Sequence, residues 1–219
     1  WILLIGSIVL YMIAHAVQQD DSRHIRTLAE LNAVTYGDNM IADLNAGINI
    51  TDTLEQLLIS TDGRIDKFDT IAGRMMTDYV RSIQVAPGGI VTDIYPTEGN
   101  ETGKIDLIHD KYRGETVKYS IANDALIIHG PFELEQGGHV LSIRNPVFLQ
   151  DEKGTPYFWG MTMVIIKVPD IFQHSADDLT NFGYQYRLSK TISPLTDEYT
   201  VVDQSTETLT DPISYGFTL

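Results

Sequence analysis

Hydrophobic and polar positions change their rhythm along this chain. Residues 1–17 carry no Lys, Arg, Asp or Glu and are mostly Ile, Leu, Val and Ala. At about 1.5 Å per residue the run covers roughly 25 Å, near the ~30 Å of a bilayer's hydrocarbon core. It predicts most of a transmembrane helix, 1–17. Ala14-His15-Ala16 also fits loosely the small-residue site of a cleaved signal, and a buried core helix is a third reading. The span is preferred because a helical pattern continues beyond it. Ile25, Leu28, Leu31, Val34, Ile41 and Leu44 return at three- or four-residue steps, with a weaker interval around Gly37. Joined to the apolar run, this predicts one long helix whose stripe can meet its own domain or a second copy.

A second helix is predicted over Leu54–Ile59, capped by Thr51-Asp52-Thr53, and a third over Asp66–Arg81. Phe68, Ile71, Met75, Met76 and Tyr79 mark the apolar side of the third; the Met pair reads as core filling. The period then falls to two. Strands are predicted at 82–85, 90–95, 125–129, 139–145 and 157–168, with a turn at Pro87-Gly88-Gly89 and a helix at Asp110–Asn123. Asp170–His174 reads as a short helix, and 184–188, 198–203 and 213–219 as further strands. The fold class is therefore α+β: a long N-terminal stalk helix, then a PAS-like antiparallel sheet domain and the opening of a second one. The expected divisions are 1–17 membrane, 18–80 stalk and packing helices, 81–175 the first sheet domain, and 176–219 an incomplete second one. The start on Trp1 and the strand-like end suggest a piece of a larger membrane protein.

Composition narrows the function. In 219 residues there are 30 acids against 15 bases, a formal net charge of −15. Such a surface repels phosphate backbones, so no nucleic-acid partner is expected. The absence of cysteine excludes disulfide scaffolds, thiolate metal sites and cysteine nucleophiles. Asp20 and Asp21 follow the apolar run without a basic cluster, which places 18–219 outside the cytoplasm.

Catalytic chemistry is not legible. The six histidines are scattered, and none pairs at the spacing of a metalloprotease helix. There is no phosphate-binding glycine loop and no nucleophile elbow. Gln136-Gly137-Gly138 reads as a turn, and Asp177-Asp178 as solvated acids. No catalytic residue, metal or cofactor is expected. An extracytoplasmic hydrolase would need a nucleophile–base pair that the sequence does not display.

From Gly103 to Phe172 a set of short motifs appears in order: Ile105-Asp106-Leu107, Arg113, Gly130-Pro131-Phe132-Glu133-Leu134, Gln136-Gly137-Gly138, Arg144-Asn145-Pro146-Val147-Phe148 and Phe158-Trp159-Gly160. Together they resemble the CHASE domain, the extracytoplasmic sensor of histidine kinases and nucleotide cyclases. The likeness is strongest over about 80–175. The resemblance implies a small ligand held in a membrane-distal PAS-like domain, 81–175, a membrane-proximal PAS-like domain, incomplete at 176–219, and a cytoplasmic histidine kinase or diguanylate cyclase as output. Plant cytokinin receptors are distant relatives. Aligned on Gly130-Pro131-Phe132, their acidic ligand-binding residue falls on Arg113. With a one-residue slip around Gly137, a ligand-contacting threonine falls on Arg144. Leu107, Leu134, Tyr157 and Gly160 fall at or near other pocket positions. An arginine in place of the acid argues against adenine-type ligands.

The two arginines also speak for themselves. Arg144 interrupts an apolar strand, alternating with Leu141 and Ile143. Arginine is seldom fully buried unless paired, and its forked guanidinium suits carboxylate or phosphate. If Arg113 and Arg144 face one cleft, the ligand is an anion, with each charge-assisted hydrogen bond worth ~1.5–3 kcal/mol. Otherwise each pairs with Glu115, Glu133 or Glu135, or points into solvent. The expected function is a small-ligand sensor, possessing no enzyme activity of its own, in a membrane-anchored homodimer joined through the stalk helix. The alternative is an anchored interaction or dimerisation domain without a small ligand.

Overall fold

A single helix, α1 (Ile2–Ser60), lies along one face of a five-stranded antiparallel sheet. The computed structural model describes residues 2–98, 105–133, 137–206 and 208–216, with side chains from Arg23 onward. The sheet strands are β1 (Val80–Pro87), β2 (Asp93–Tyr95), β3 (Ile127–Glu133), β4 (His139–Gln150) and β5 (Pro156–Val168), in the order β2-β1-β5-β4-β3. The helix α2 (Phe68–Met75) precedes β1, and α3 (Gly114–Asn123) precedes β3. After β5 a short 3-10 turn leads into α4 (Gln173–Asn181), and β6 (Arg187–Thr191) and β7 (Tyr199–Gln204) form a separate two-stranded sheet. The α+β class with an antiparallel sheet is what the alternating segments predict.

Period-two alternation gives the central sheet two different faces. Ile83, Val85, Leu141, Ile143, Val164 and Ile166 point to one side and bury Met40, Leu44, Leu54 and Leu58 of α1. Burying one such leucine contributes about 1.5–3 kcal/mol. Polar ties fix the register across this face. The Thr162 hydroxyl donates to the Thr51 carbonyl oxygen at 3.1 Å, and the Asn145 amide to Glu55 Oε2 at 2.8 Å. At Gly47 the helix comes so close that a Cβ would lie 2.5 Å from Ile166 Cδ1. The opposite face carries Ala86, Ile94, Met161 and Met163, covered by Val117 of α3 and by Leu107.

Several expectations are corrected. No helix boundary exists at Thr51. Its hydroxyl donates to the Ile48 carbonyl within α1 at 2.7 Å and the residue is fully buried, so it bonds backwards along the helix instead of capping. The helix expected over 66–81 ends at Met75, because Val80 and Arg81 already belong to β1. The strand expected at 90–95 is only Asp93–Tyr95, with Ile90 in an isolated bridge to Asp106. The helix expected from Asp110 starts at Gly114. The Asp110 Oδ1 atom accepts the backbone N–H groups of Tyr112 and Arg113 at 2.8 Å each, so this aspartate closes the turn ahead of the helix. Residues 213–216 form no strand; Tyr215 runs beside α1 and donates its hydroxyl to Asp38 at 2.7 Å. The rest of that expected strand, 217–219, lies outside the described residues.

The membrane span expected at 1–17 falls where side chains are not described; among the described residues no helix is long and apolar enough to cross a membrane.

Candidate functional site

Sheet register brings the site together. Arg144 on β4 stands opposite Ile127 on β3 and Met163 on β5, and Met163 stands opposite Gln84 on β1. One step along, Ser142 stands opposite His129 and Ile165. Residues paired across strands share a face, so all of these point to the α3 side of the sheet. The apolar wall is Leu107, Val117, Met161 and Met163.

Arg144 is only 2% exposed and is the largest fully buried side chain among the described residues. Its Nε and Nη1 have no hydrogen-bond partner among the described residues, and neither does the buried Ser142 Oγ. Buried polar groups are almost always bonded, and an unpaired buried charge is costlier still. Burial pushes the Arg144 guanidinium down to about 10, and repulsion from Arg113 adds to this, with Asp110 partly opposing. It therefore remains charged at neutral pH.

Arg113 sits at the N-cap of α3 with its side chain 35% exposed. Its Nε lies 4.0 Å from Asp110 Oδ2, and its guanidinium lies 5.4 Å from the centre of the Phe132 ring. His129 packs on the same ring at 5.7 Å between centroids. Burial drives His129 down to about 4, helped by Arg144, Arg113 and Lys190 and opposed by Asp110. Lys190 reaches in from β6, donating to the Gly130 carbonyl at 3.2 Å, and its own burial lowers its pKa. Burial alone would raise Asp110, but the two backbone donors and both arginines hold it below the usual carboxylate range. Its Oδ1 is already occupied by those donors.

The six residues expected from sequence separate here. Arg113, Arg144 and Leu107 belong to the α3 face. Gly160 lies further along β5, opposite Val147 and Pro87, where a Cβ would meet the Ala86 oxygen at 2.4 Å; it serves close strand packing. Tyr157 is at the start of β5, 46% exposed, six positions from Met163 or roughly 20 Å at strand rise. It takes no part in the arginine cluster. Leu134 lies outside the described residues. The acids Glu115 and Glu133 do not neutralise Arg144: Glu115 pairs with Lys118 at 3.0 Å, and Glu133 is exposed at the end of β3. Glu135 lies outside the described residues. Sequence reading missed His129, Ser142, Asp110 and Lys190. The first two needed the strand register, and Lys190 needed the tertiary contact. Asp110 had a local signal, since an aspartate ahead of a helix commonly closes a turn. No group of His, Asp and Glu among the described residues is arranged to hold a metal.

A concavity of about 480 Å³ lies between α1 and the C-terminal segments and is lined by Tyr36, Met40, Tyr184, Tyr186, Leu209 and Tyr215, among others. Two of its polar side chains have partners: the Tyr186 hydroxyl donates to Asp203 at 2.6 Å, and Asp211 accepts from Arg26 at 2.9 Å.

No family model matches the chain, and no curated protein does. Among solved structures, it is similar to an extracellular ligand binding receptor from Desulfohalobium retbaense DSM5692, with a TM-score of 0.55 and 15% identity. The match covers 70% of this chain but only 28% of that receptor. At that identity the likeness supports the fold.

Two predictions follow from the electrostatics. Arg144→Met removes a buried charge whose Nε and Nη1 have no partner among the described residues, at similar volume, so the variant should be more stable than wild type by ~1–4 kcal/mol in denaturant melts; a less stable variant would show the guanidinium to be satisfied. His129 binds its proton more weakly folded than unfolded, so its contribution to stability is full above about pH 6.5 and declines toward about pH 4. Between pH 6.5 and 5, the melting temperature of His129→Gln should fall less steeply than that of wild type. Parallel curves would contradict the assignment.

Proposed function

We propose that this chain is the ligand-sensing region of a transmembrane signalling receptor, with residues 18–219 outside the cytoplasm and a small anionic metabolite as ligand. The observation that carries this reading is Arg144, a charged side chain buried in a sheet face whose Nε and Nη1 have no partner among the described residues. Folding around such a group is unfavourable unless something else uses it. An anion is the chemistry that satisfies a guanidinium, and Arg113 sits near enough to lower the Arg144 pKa. Likeness in fold to an extracellular ligand binding receptor agrees with this role. The CHASE-like motifs add the expected output, a cytoplasmic histidine kinase or diguanylate cyclase. The region itself is a sensor without catalytic activity.

The apolar run at 1–17 supplies the membrane anchor in this reading, and α1 the stalk. Ile25, Leu28, Leu31 and Val34 are 64%, 42%, 62% and 41% exposed, more apolar surface than a lone helix favours in water. They support a homodimer formed through α1. Signalling then requires that the ligand prefer one arrangement of sheet and helix, because equal affinity for two states shifts neither.

A thermal-shift screen of organic acids, amino acids and nucleobases tests the reading on the chain held in detergent. A ligand at ~100 times its dissociation constant adds about 2.7 kcal/mol of stability. Carboxylates should stabilise wild type and fail to stabilise Arg144→Gln. Stabilisation by a nucleobase that survives Arg144→Gln contradicts the anion site. A complete absence of binding favours the interaction-domain alternative.

A further inference from the structure

The concavity between α1 and the segments on either side of the β6–β7 hairpin is a separate place from the Arg144 cluster, and Arg144 does not line it. We infer that this concavity binds a small quaternary ammonium ion, held by tyrosine rings. Its volume, about 480 Å³, is that of a small-ligand site. Four tyrosines distant in sequence converge on it: Tyr36 from α1, Tyr184 and Tyr186 from the stretch before β6, and Tyr215 from the segment after β7. Tyr36, Tyr184 and Tyr186 are half-buried against the core. The Tyr215 ring lies on α1 at Gly37, where a Cβ would be 2.5 Å from its Cδ1. Aromatic faces carry negative potential and attract cations, more strongly as water is excluded.

The hydrogen bonds of the walls reinforce that sign. The Tyr186 hydroxyl donates to Asp203 at 2.6 Å, and the Tyr215 hydroxyl donates to Asp38 at 2.7 Å. A phenol that shares its proton with a carboxylate has a more electron-rich ring, and so a more attractive face for a cation. The bases at the walls are Arg187 and Arg26, and both are engaged. Arg187 Nε donates to Gln204 Oε1 at 3.1 Å, and Arg26 meets Asp211 at 2.9 Å and Glu30 at 3.6 Å. Four acids, Asp38, Asp203, Asp211 and Glu30, thus stand against two bases. The undescribed residues that adjoin these segments in sequence, Glu207 and Phe217-Thr218-Leu219, include no base. Each wall carboxylate already has a donor. A primary ammonium would need acceptors for three N–H groups. A quaternary ammonium needs none, and it offers methyl groups to the rings and to Met40 and Leu209.

Isothermal titration of the full chain compares choline with dimethylbutanol, its uncharged isostere with carbon in place of nitrogen, and with ethanolamine, its primary-amine counterpart. Choline should bind about tenfold or more tightly than either. Tyr215, 40% exposed, is the ring to vary with least harm to the core. Tyr215→Leu should weaken choline by about fivefold or more and leave dimethylbutanol as it was, whereas Tyr215→Phe should retain the preference for choline. Arg144→Gln should leave choline binding unchanged. Equal affinity for choline and dimethylbutanol would make this a plain apolar pocket and overturn the inference. Tightest binding by ethanolamine would put a carboxylate in place of the rings and overturn it too, as would an absence of choline binding. Each of those results leaves the Arg144 anion site standing, because the wild-type comparison does not involve it.

Discussion

One buried guanidinium, that of Arg144, organises this structure; its Nε and Nη1 have no partner among the described residues. Arg144 stands in the middle of a sheet, flanked on β4 by Ile143 and Asn145, which face the other way toward α1. It is buried between β3 and β5, and its Nε and Nη1 bond nothing among the described residues. Such a residue lowers the stability of the empty protein. The rest of the fold has to supply the compensation, and it does so through the opposite face. There α1 lays Met40, Leu44, Leu54 and Leu58 against the sheet, aided by the Gly47 approach and by the Thr162 and Asn145 ties. One face holds the sheet in place, so the other is free to carry charge.

This division also fixes how a bound anion can be felt elsewhere. The strands that carry Arg144 and Met163 are the same strands that pack on α1. A shift in β4 or β5 reaches the helix without an intermediate element. Lys190 adds a second route, since it ties the β6–β7 hairpin to the Gly130 carbonyl beside His129. In the proposed receptor these contacts are the physical means by which occupancy is transmitted.

Much of this architecture was legible from alternation alone. The runs at 139–145 and 157–168 predict β4 and β5, and Arg144 is conspicuous there because it breaks an apolar series. The boundary errors have local causes. Thr51-Asp52-Thr53 looks like a cap, yet a buried threonine inside a helix bonds to the turn behind it. Asp110 looks like a first helical residue, yet its carboxylate closes a turn. What sequence did not disclose was convergence. His129 joins Arg144 only through the β3–β4 register, and Lys190 comes from a different sheet. Tyr157 and Gly160, expected near the ligand, lie further along β5, because a few residues of strand cover a long distance.

The most direct test reads the guanidinium itself. With the chain labelled in nitrogen-15, the Nε–H resonance of Arg144 is followed as succinate is added, with the exposed Arg74 as internal control. The account predicts that the Arg144 signal moves and saturates while Arg74 stays in place. A ligand that stabilises the protein while leaving the Arg144 resonance unmoved would contradict it.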